Sequence, residues 1–155
     1  MCIRDSVGSE MCIRDSLNDA LARLRRVARP GSLVFILSDF YAIDEDTRSH
    51  LQRLRQHCDV FACQDVDALE TEPLVPGRYA VSDGRQRGVL DTRTQARRHA
   101  CSDYFTEHHH AVAELMQQCA VPLQRIQTTD DVVQSLRAAL AGAGGAASQM
   151  HGEVA

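Results

Sequence analysis

The sequence predicts a three-layer α/β fold: a parallel sheet with helices on both faces and an inserted β-hairpin. Three observations predict it. Residues 33–37, Leu-Val-Phe-Ile-Leu, are an unbroken apolar run between Pro30-Gly31 and Ser38-Asp39. Such a run reads as a short strand buried on both faces. Second, helical and strand-like periods alternate from Leu17 to Gln64 in the order helix, strand, helix, strand, which argues for parallel strands joined by crossovers. Third, a long helical period returns after a hairpin-like stretch and is followed by another core strand ending at Gln127.

Bulk properties agree with one ordinary domain. The chain has 155 residues, 44% apolar and 25% charged, enough to bury a core and unlike a disordered chain. A net charge of -4 gives no reason to expect a nucleic-acid surface. Every basic residue is Arg. No apolar run nears the roughly 20 residues needed to cross a bilayer, and no signal-peptide pattern is present. The six Cys are scattered without a Cys-x-x-Cys pair, as expected for buried thiols in a reducing compartment.

Residues 1–6, Met-Cys-Ile-Arg-Asp-Ser, recur unchanged at 11–16. No supersecondary unit is that short. The repeat resembles translated sequencing-adapter sequence, so residues 1–16 are set aside as non-native and disordered. The native reading starts near Leu17 and leaves Cys58, Cys63, Cys101 and Cys119 for argument.

Leu17, Leu21, Leu24 and Val27 mark an amphipathic helix ended by Pro30-Gly31, a helix-stop signal. The strand 33–38 follows. Asp44, Glu45 and Asp46 suit the first turn of the next helix, at the positive end of its dipole, and Thr47, Leu51, Leu54 and Cys58 form its inner stripe. Residues 59–64 carry Val60, Phe61, Ala62 and Cys63, a second strand. Residues 65–77 read as a loop with Pro73 and Pro76. Tyr79 to Val81 and Gly88 to Leu90 flank Asp83-Gly84, a hairpin signal. From Thr94, Cys101, Tyr104, Phe105, His108, Val112, Leu115 and Cys119 trace one helix face. Leu123 to Gln127 is a third core strand after Pro122. Thr128 and Asp131 have capping-box spacing for a last helix with Val132, Val133, Leu136 and Leu140. Residues 141–155 are a Gly/Ala-rich tail expected to fray.

Asp39 is the foremost candidate for function. In open α/β sheets ligands bind beyond the carboxyl ends of the strands, and Asp39 follows the apolar strand there, next to Ser38. The plain alternative is a strand-end Asp that caps a turn. His108, His109 and His110 are consecutive; side chains about 100° apart on a helix cannot converge on one ion. His108 is expected on the core stripe and the other two in water. Cys58 and Cys63 lack the tight paired spacing of a zinc site. Asp83 and Asp91 read as turn residues of the hairpin.

Residues 27–40, Val-Ala-Arg-Pro-Gly-Ser-Leu-Val-Phe-Ile-Leu-Ser-Asp-Phe, together with Pro76-Gly77-Arg78-Tyr79 and Leu90-Asp91-Thr92, resemble the carboxy-terminal half of the DUF58 family. The Tyr104-Phe105 pair and the Thr128 strand end add to this. The resemblance runs from about Leu17 to Leu140 and departs locally at Asp67-Ala68-Leu69-Glu70, where the family tends to show Asp-Pro-Leu-Glu. It implies a Rossmann-like von Willebrand factor A-type half-domain, a bacterial protein-interaction module, non-catalytic, partnered by a MoxR-type AAA+ ATPase in chaperone-like assembly or maturation.

The same resemblance implies a metal-ion-dependent adhesion site holding Mg²⁺ in the full-length domain. Asp39 matches the third-loop Asp of that site, with Ser38 beside it, and nothing here matches the Asp-x-Ser-x-Ser motif that supplies the main ligands. Residues 17–155 are therefore expected to hold an incomplete site and bind no metal. The first strand of such a domain would lie upstream and pair beside 33–38, leaving that edge exposed and prone to aggregation. The expected location is cytoplasmic, with full-length relatives anchored to the inner membrane and this part on the cytoplasmic side. The competing reading is a metal-dependent phosphoryl-transfer or hydrolase enzyme using Asp39. It wants a second Asp two residues on and a Lys, whereas residue 41 is Tyr and the chain has no Lys.

Overall fold

The computed structural model describes residues 17–82 and 86–137. Expectations for residues 1–16, Asp83-Gly84, Leu140 and the 141–155 tail lie outside them. Its elements are α1 (Leu17–Val27), β1 (Leu33–Ser38), α2 (Glu45–Arg55), β2 (Asp59–Val66), α3 (Ala68–Thr71), β3 (Arg78–Ser82), β4 (Arg87–Asp91), α4 (Gln95–Gln118) and β5 (Leu123–Gln127). Residues 132–137 are helical as well.

The α/β reading holds. A parallel sheet runs in the order β1-β2-β5, and β3 and β4 form a separate antiparallel hairpin. The register sets Ser38 beside Gln64 and Gln64 beside Arg125, so polar residues line up at the carboxyl ends of the strands. Gly31 turns the chain into β1 with a φ of 81°, a left-handed value that favours glycine.

One sheet face carries the main core. Val34 and Ile36 of β1 and Val60 and Ala62 of β2 meet Leu21 of α1, Leu51 and Leu54 of α2, and Val112, Leu115 and Met116 of α4. Each such Val, Leu, Ile or Met side chain, fully buried, contributes about 1.5–3 kcal/mol. On the other face Phe61, Cys63 and Ile126 gather with Leu136. The expectation that β1 is buried on both faces is wrong: Leu33, Phe35 and Leu37 are exposed. Among the described residues, the segment 132–137 reaches that face only near β2 and β5, and β1 is the edge strand.

Asp44 builds the start of α2. Its carboxylate accepts from Thr47 N–H, and its own N–H donates to Thr47 Oγ1, a capping box. Asn18 of α1 donates to the same carboxylate at 2.9 Å and accepts from Thr47 Oγ1 at 2.7 Å, which ties the first turns of both helices together. These bonds, the Thr47 N–H first and Asn18 next, hold the Asp44 carboxyl below its usual range.

Three local expectations need correction. The 65–77 stretch is not all loop, because β2 continues to Val66 and α3 follows. Asp65 and Val66 pair with Ile126 and Gln127, so β5 extends the strand. The cap of the last helix is Asp131 rather than Thr128: Asp131 Oδ1 accepts from Val133 and Gln134 N–H, while Thr128 lies in the turn before it. On α4, Val112, Leu115 and Cys119 of the predicted stripe are buried, but His109, expected in water, is buried too and Tyr104 is half exposed. At 1.5 Å per residue α4 is roughly 36 Å long, more than the sheet can cover. Helix α4 also packs against α3, and His109 is turned to Glu70 there.

Candidate functional site at the carboxyl ends of the strands

Ser38 and Asp39 close β1 with two short side-chain bonds. Ser38 Oγ accepts from Phe40 N–H at 3.0 Å, and Asp39 Oδ1 accepts from Tyr41 N–H at 3.2 Å. Between them Phe40 takes a φ of 57° and is only 1% exposed. A bulky residue in the left-handed region is strained, and core burial of its ring is what offsets that strain. The turn throws Asp39 and Tyr41 outward: both are exposed.

Helix α4 supplies the opposite wall. His108 Nε2 donates to the Asp39 carbonyl at 3.0 Å. Its ring stacks on Tyr41 with centroids 4.1 Å apart and planes 7° from parallel. Tyr104, one turn earlier, lies 6.5 Å from Tyr41 at 17°, and Phe105 meets Tyr104 edge-on at 5.6 Å. Such offset aromatic contacts contribute about 0.5–1.5 kcal/mol beyond area burial.

Glu70 fastens this group from α3. Its Oε1 accepts from Asp67 N–H while Asp67 Oδ1 accepts from Leu69 N–H, closing a capping box on α3. Its Oε2 accepts from the Tyr41 hydroxyl and from His109 Nε2, each at 3.2 Å. Burial first, and then the Glu70 charge, push the Tyr41 phenol well above its ordinary range. Beneath, Arg125 Nε donates to Gln64 Oε1 and a terminal nitrogen of Arg125 donates to the His109 carbonyl.

The structure thus brings Asp39 and Ser38 together with Tyr41, Glu70, His108 and His109. Sequence reasoning missed Tyr41, Glu70, His108 and His109 as site residues, placing His108 on the core stripe instead. A signal existed for Glu70, since Asp67-x-x-Glu70 has capping-box spacing. His110 faces outward to Glu114 at 3.5 Å, so the three histidines do diverge. Asp91 is bonded instead to Arg93 at 2.7 Å, and that bond keeps its carboxyl well below the usual range. Cys58, Cys63, Cys101 and Cys119 are free thiols.

The donor set at Asp39 does not fit Mg²⁺. The ion wants near-octahedral oxygens, whereas Ser38 Oγ and Asp39 Oδ1 already accept backbone N–H bonds. Among the described residues no group of three or more His, Cys, Asp or Glu side chains is arranged to hold a metal. No described helix is long and apolar enough to cross a membrane.

The family resemblance has physical content in the remaining motif residues. Thr92 is fully buried; its hydroxyl donates to the Val75 carbonyl at 2.8 Å and accepts from Gly77 N–H at 3.1 Å. The Thr92 N–H donates to the Gly77 carbonyl at 2.9 Å. Leu90-Asp91-Thr92 and Pro76-Gly77 are thereby the two sides of one clamp at the hairpin base. Comparison with known proteins agrees. No curated protein and no solved structure matches the chain. The family described as "Protein of unknown function DUF58" matches residues 9–111, a range that holds β1, the Glu70 turn, the hairpin clamp and the first half of α4. Covering well over half of its length, that match shows that the chain belongs to the DUF58 family.

Proposed function

We propose that the chain is a non-catalytic protein-interaction module that meets its partner at the carboxyl ends of β1 and β2. The observation that carries this reading is the Tyr41–His108–Tyr104 cluster: stacked, partly exposed rings on a base fixed by Glu70 and the Asp39 turn. Tyr is enriched among residues that dominate interfaces, and rings already held in place lose little freedom on binding. In the von Willebrand factor A-like reading of DUF58, the partner is a MoxR-type AAA+ ATPase and the assembly serves chaperone-like maturation. Mg²⁺ belongs to the full-length domain in that reading, held mainly by an Asp-x-Ser-x-Ser motif that has no match in this sequence; Asp39 and Ser38 alone do not hold it.

The enzyme reading has less support. Asp39 Oδ1 is engaged by Tyr41 N–H, residue 41 is not a second acid, and no Lys is present to balance a phosphate. The test is binding of the full chain to a purified MoxR-type ATPase by interferometry. Saturable binding that weakens roughly tenfold or more in Tyr41→Ala and Tyr104→Ala, with native circular dichroism, is the expected result. No binding overturns the MoxR-type partner, and binding undiminished in both variants overturns this interaction site. Turnover of generic phosphatase or esterase substrates that is lost in Asp39→Asn would put the enzyme in its place.

A further inference from the structure

We propose that the Asp39–Tyr41 corner is a receptor for a guanidinium group: an arginine of the protein partner lies against the Tyr41 and Tyr104 rings and donates to the Asp39 carboxylate. This rests on the interaction-module reading and names the chemistry that the partner carries at that site.

The carboxylate is ready for a cation. Asp39 is exposed, and its one side-chain bond among the described residues uses Oδ1, for the Tyr41 N–H. Asp39 makes no ion pair among the described residues; nor do Asp103 and Glu107, which directly precede Tyr104 and His108 on α4. The basic side chain of this cluster, Arg125, is turned beneath α4 and bonded to Gln64 and to the His109 carbonyl. The neighbouring Glu70 adds negative charge behind Tyr41. Among the described residues the Asp39 carboxylate is therefore exposed and has no cationic partner.

The aromatic wall selects the kind of cation. Tyr41 has one ring face covered by His108 at 4.1 Å, yet the residue stays 42% exposed. Tyr104, near parallel to it, is 50% exposed. Guanidinium is planar, stacks on aromatic rings and offers a fork of N–H donors that matches a carboxylate. Ammonium supplies the charge without the plane. Mg²⁺ needs more oxygens than Asp39 and Ser38 can give. A flat aromatic wall beside one accessible carboxylate fits arginine best.

The test titrates the full chain with N-acetylarginine methylamide and with its citrulline analogue, which keeps the shape and loses the charge. Backbone amide and imidazole resonances report the site. Arginine should shift Asp39, Tyr41 and His108 saturably, with citrulline roughly tenfold weaker and Asp39→Asn and Tyr104→Leu each weakening arginine roughly three- to tenfold. Asn keeps an oxygen for the Tyr41 N–H, and Tyr104 lies outside that turn, so two separate variants guard against simple unfolding. An equal response to citrulline, or an undiminished response in both folded variants, overturns the assignment. If the chain binds the ATPase yet ignores arginine, the guanidinium receptor falls and the module reading stands. If arginine binds and the ATPase does not, the receptor stands and the choice of partner falls.

Discussion

Glu70 Oε2 accepts from His109 Nε2 at 3.2 Å, and this bond pins the four-residue α3 to the middle of α4. Both side chains are largely buried, with relative exposures of 14% and 11%. Because the same oxygen also takes the Tyr41 hydroxyl, one carboxylate joins the β1 turn, α3 and α4.

Removing it should therefore cost more than a surface substitution. Glu70→Ala leaves the Asp67 N–H, the Tyr41 hydroxyl and His109 Nε2 short of an acceptor, and a loss of about 1–3 kcal/mol in urea unfolding is expected. Glu70→Gln should lose less, because Gln also closes a capping box. A Glu70→Ala variant as stable as the parent would show that the three bonds are not formed together in solution.

The Tyr41 phenol gives a pH signature. Its folded pKa lies above the ordinary 10.0, through burial first and the Glu70 charge next. The native state thus holds the proton more tightly than the unfolded chain. The resulting stability is complete below the unfolded value of about 10 and is lost as pH rises toward the folded one. Wild type should lose stability more steeply than Tyr41→Phe across about pH 9.5–11. Urea midpoints at each pH check this, and parallel profiles would contradict it.

Proline suits position 68, where this chain carries Ala68, and the structure shows why. Ala68 is the first residue of α3, where the N–H has no helical partner. Asp67 before it is extended, with φ -78° and ψ 149°, as a residue preceding proline should be. Ala68→Pro is expected to stabilise by about 0.4–1 kcal/mol by restricting the unfolded chain. Thermal and urea unfolding read the change; destabilisation would mean that Ala68 does not begin the helix. The alanine does not leave this turn loose, since the Asp67–Glu70 box closes it.

Much of the fold is legible in local pattern, and the site is legible only in part. Pro30-Gly31, the 33–37 run and the acidic start of α2 each act within a few residues, so they can be read directly. Asp39 is readable because strand order alone puts it at a carboxyl end. His109 is not, because its burial depends on Glu70, 39 residues earlier. Tyr41 carries no local mark either; its role comes from His108 stacking across the turn. The two-sided burial expected of β1 fails for a related reason. An apolar run reports what a strand can bury, while its place at the sheet edge decides what is covered.

That exposed face yields the last prediction. Leu37 is 66% exposed on edge strand β1, whereas Ile36, its neighbour, points into the core at 7%. Natural edges avoid pairing with other chains by carrying charge, especially Lys. Leu37→Lys should change stability by no more than about 0.5 kcal/mol, as surface substitutions do, and should slow aggregation on heating as followed by light scattering. Ile36→Lys places an unpaired charge among Val34, Leu51 and Val60, and should abolish cooperative unfolding. If Leu37→Lys proves as damaging as Ile36→Lys, the outer face of β1 is covered in solution. If both variants leave aggregation unchanged while Leu37→Lys stays folded, association runs through a surface other than this edge.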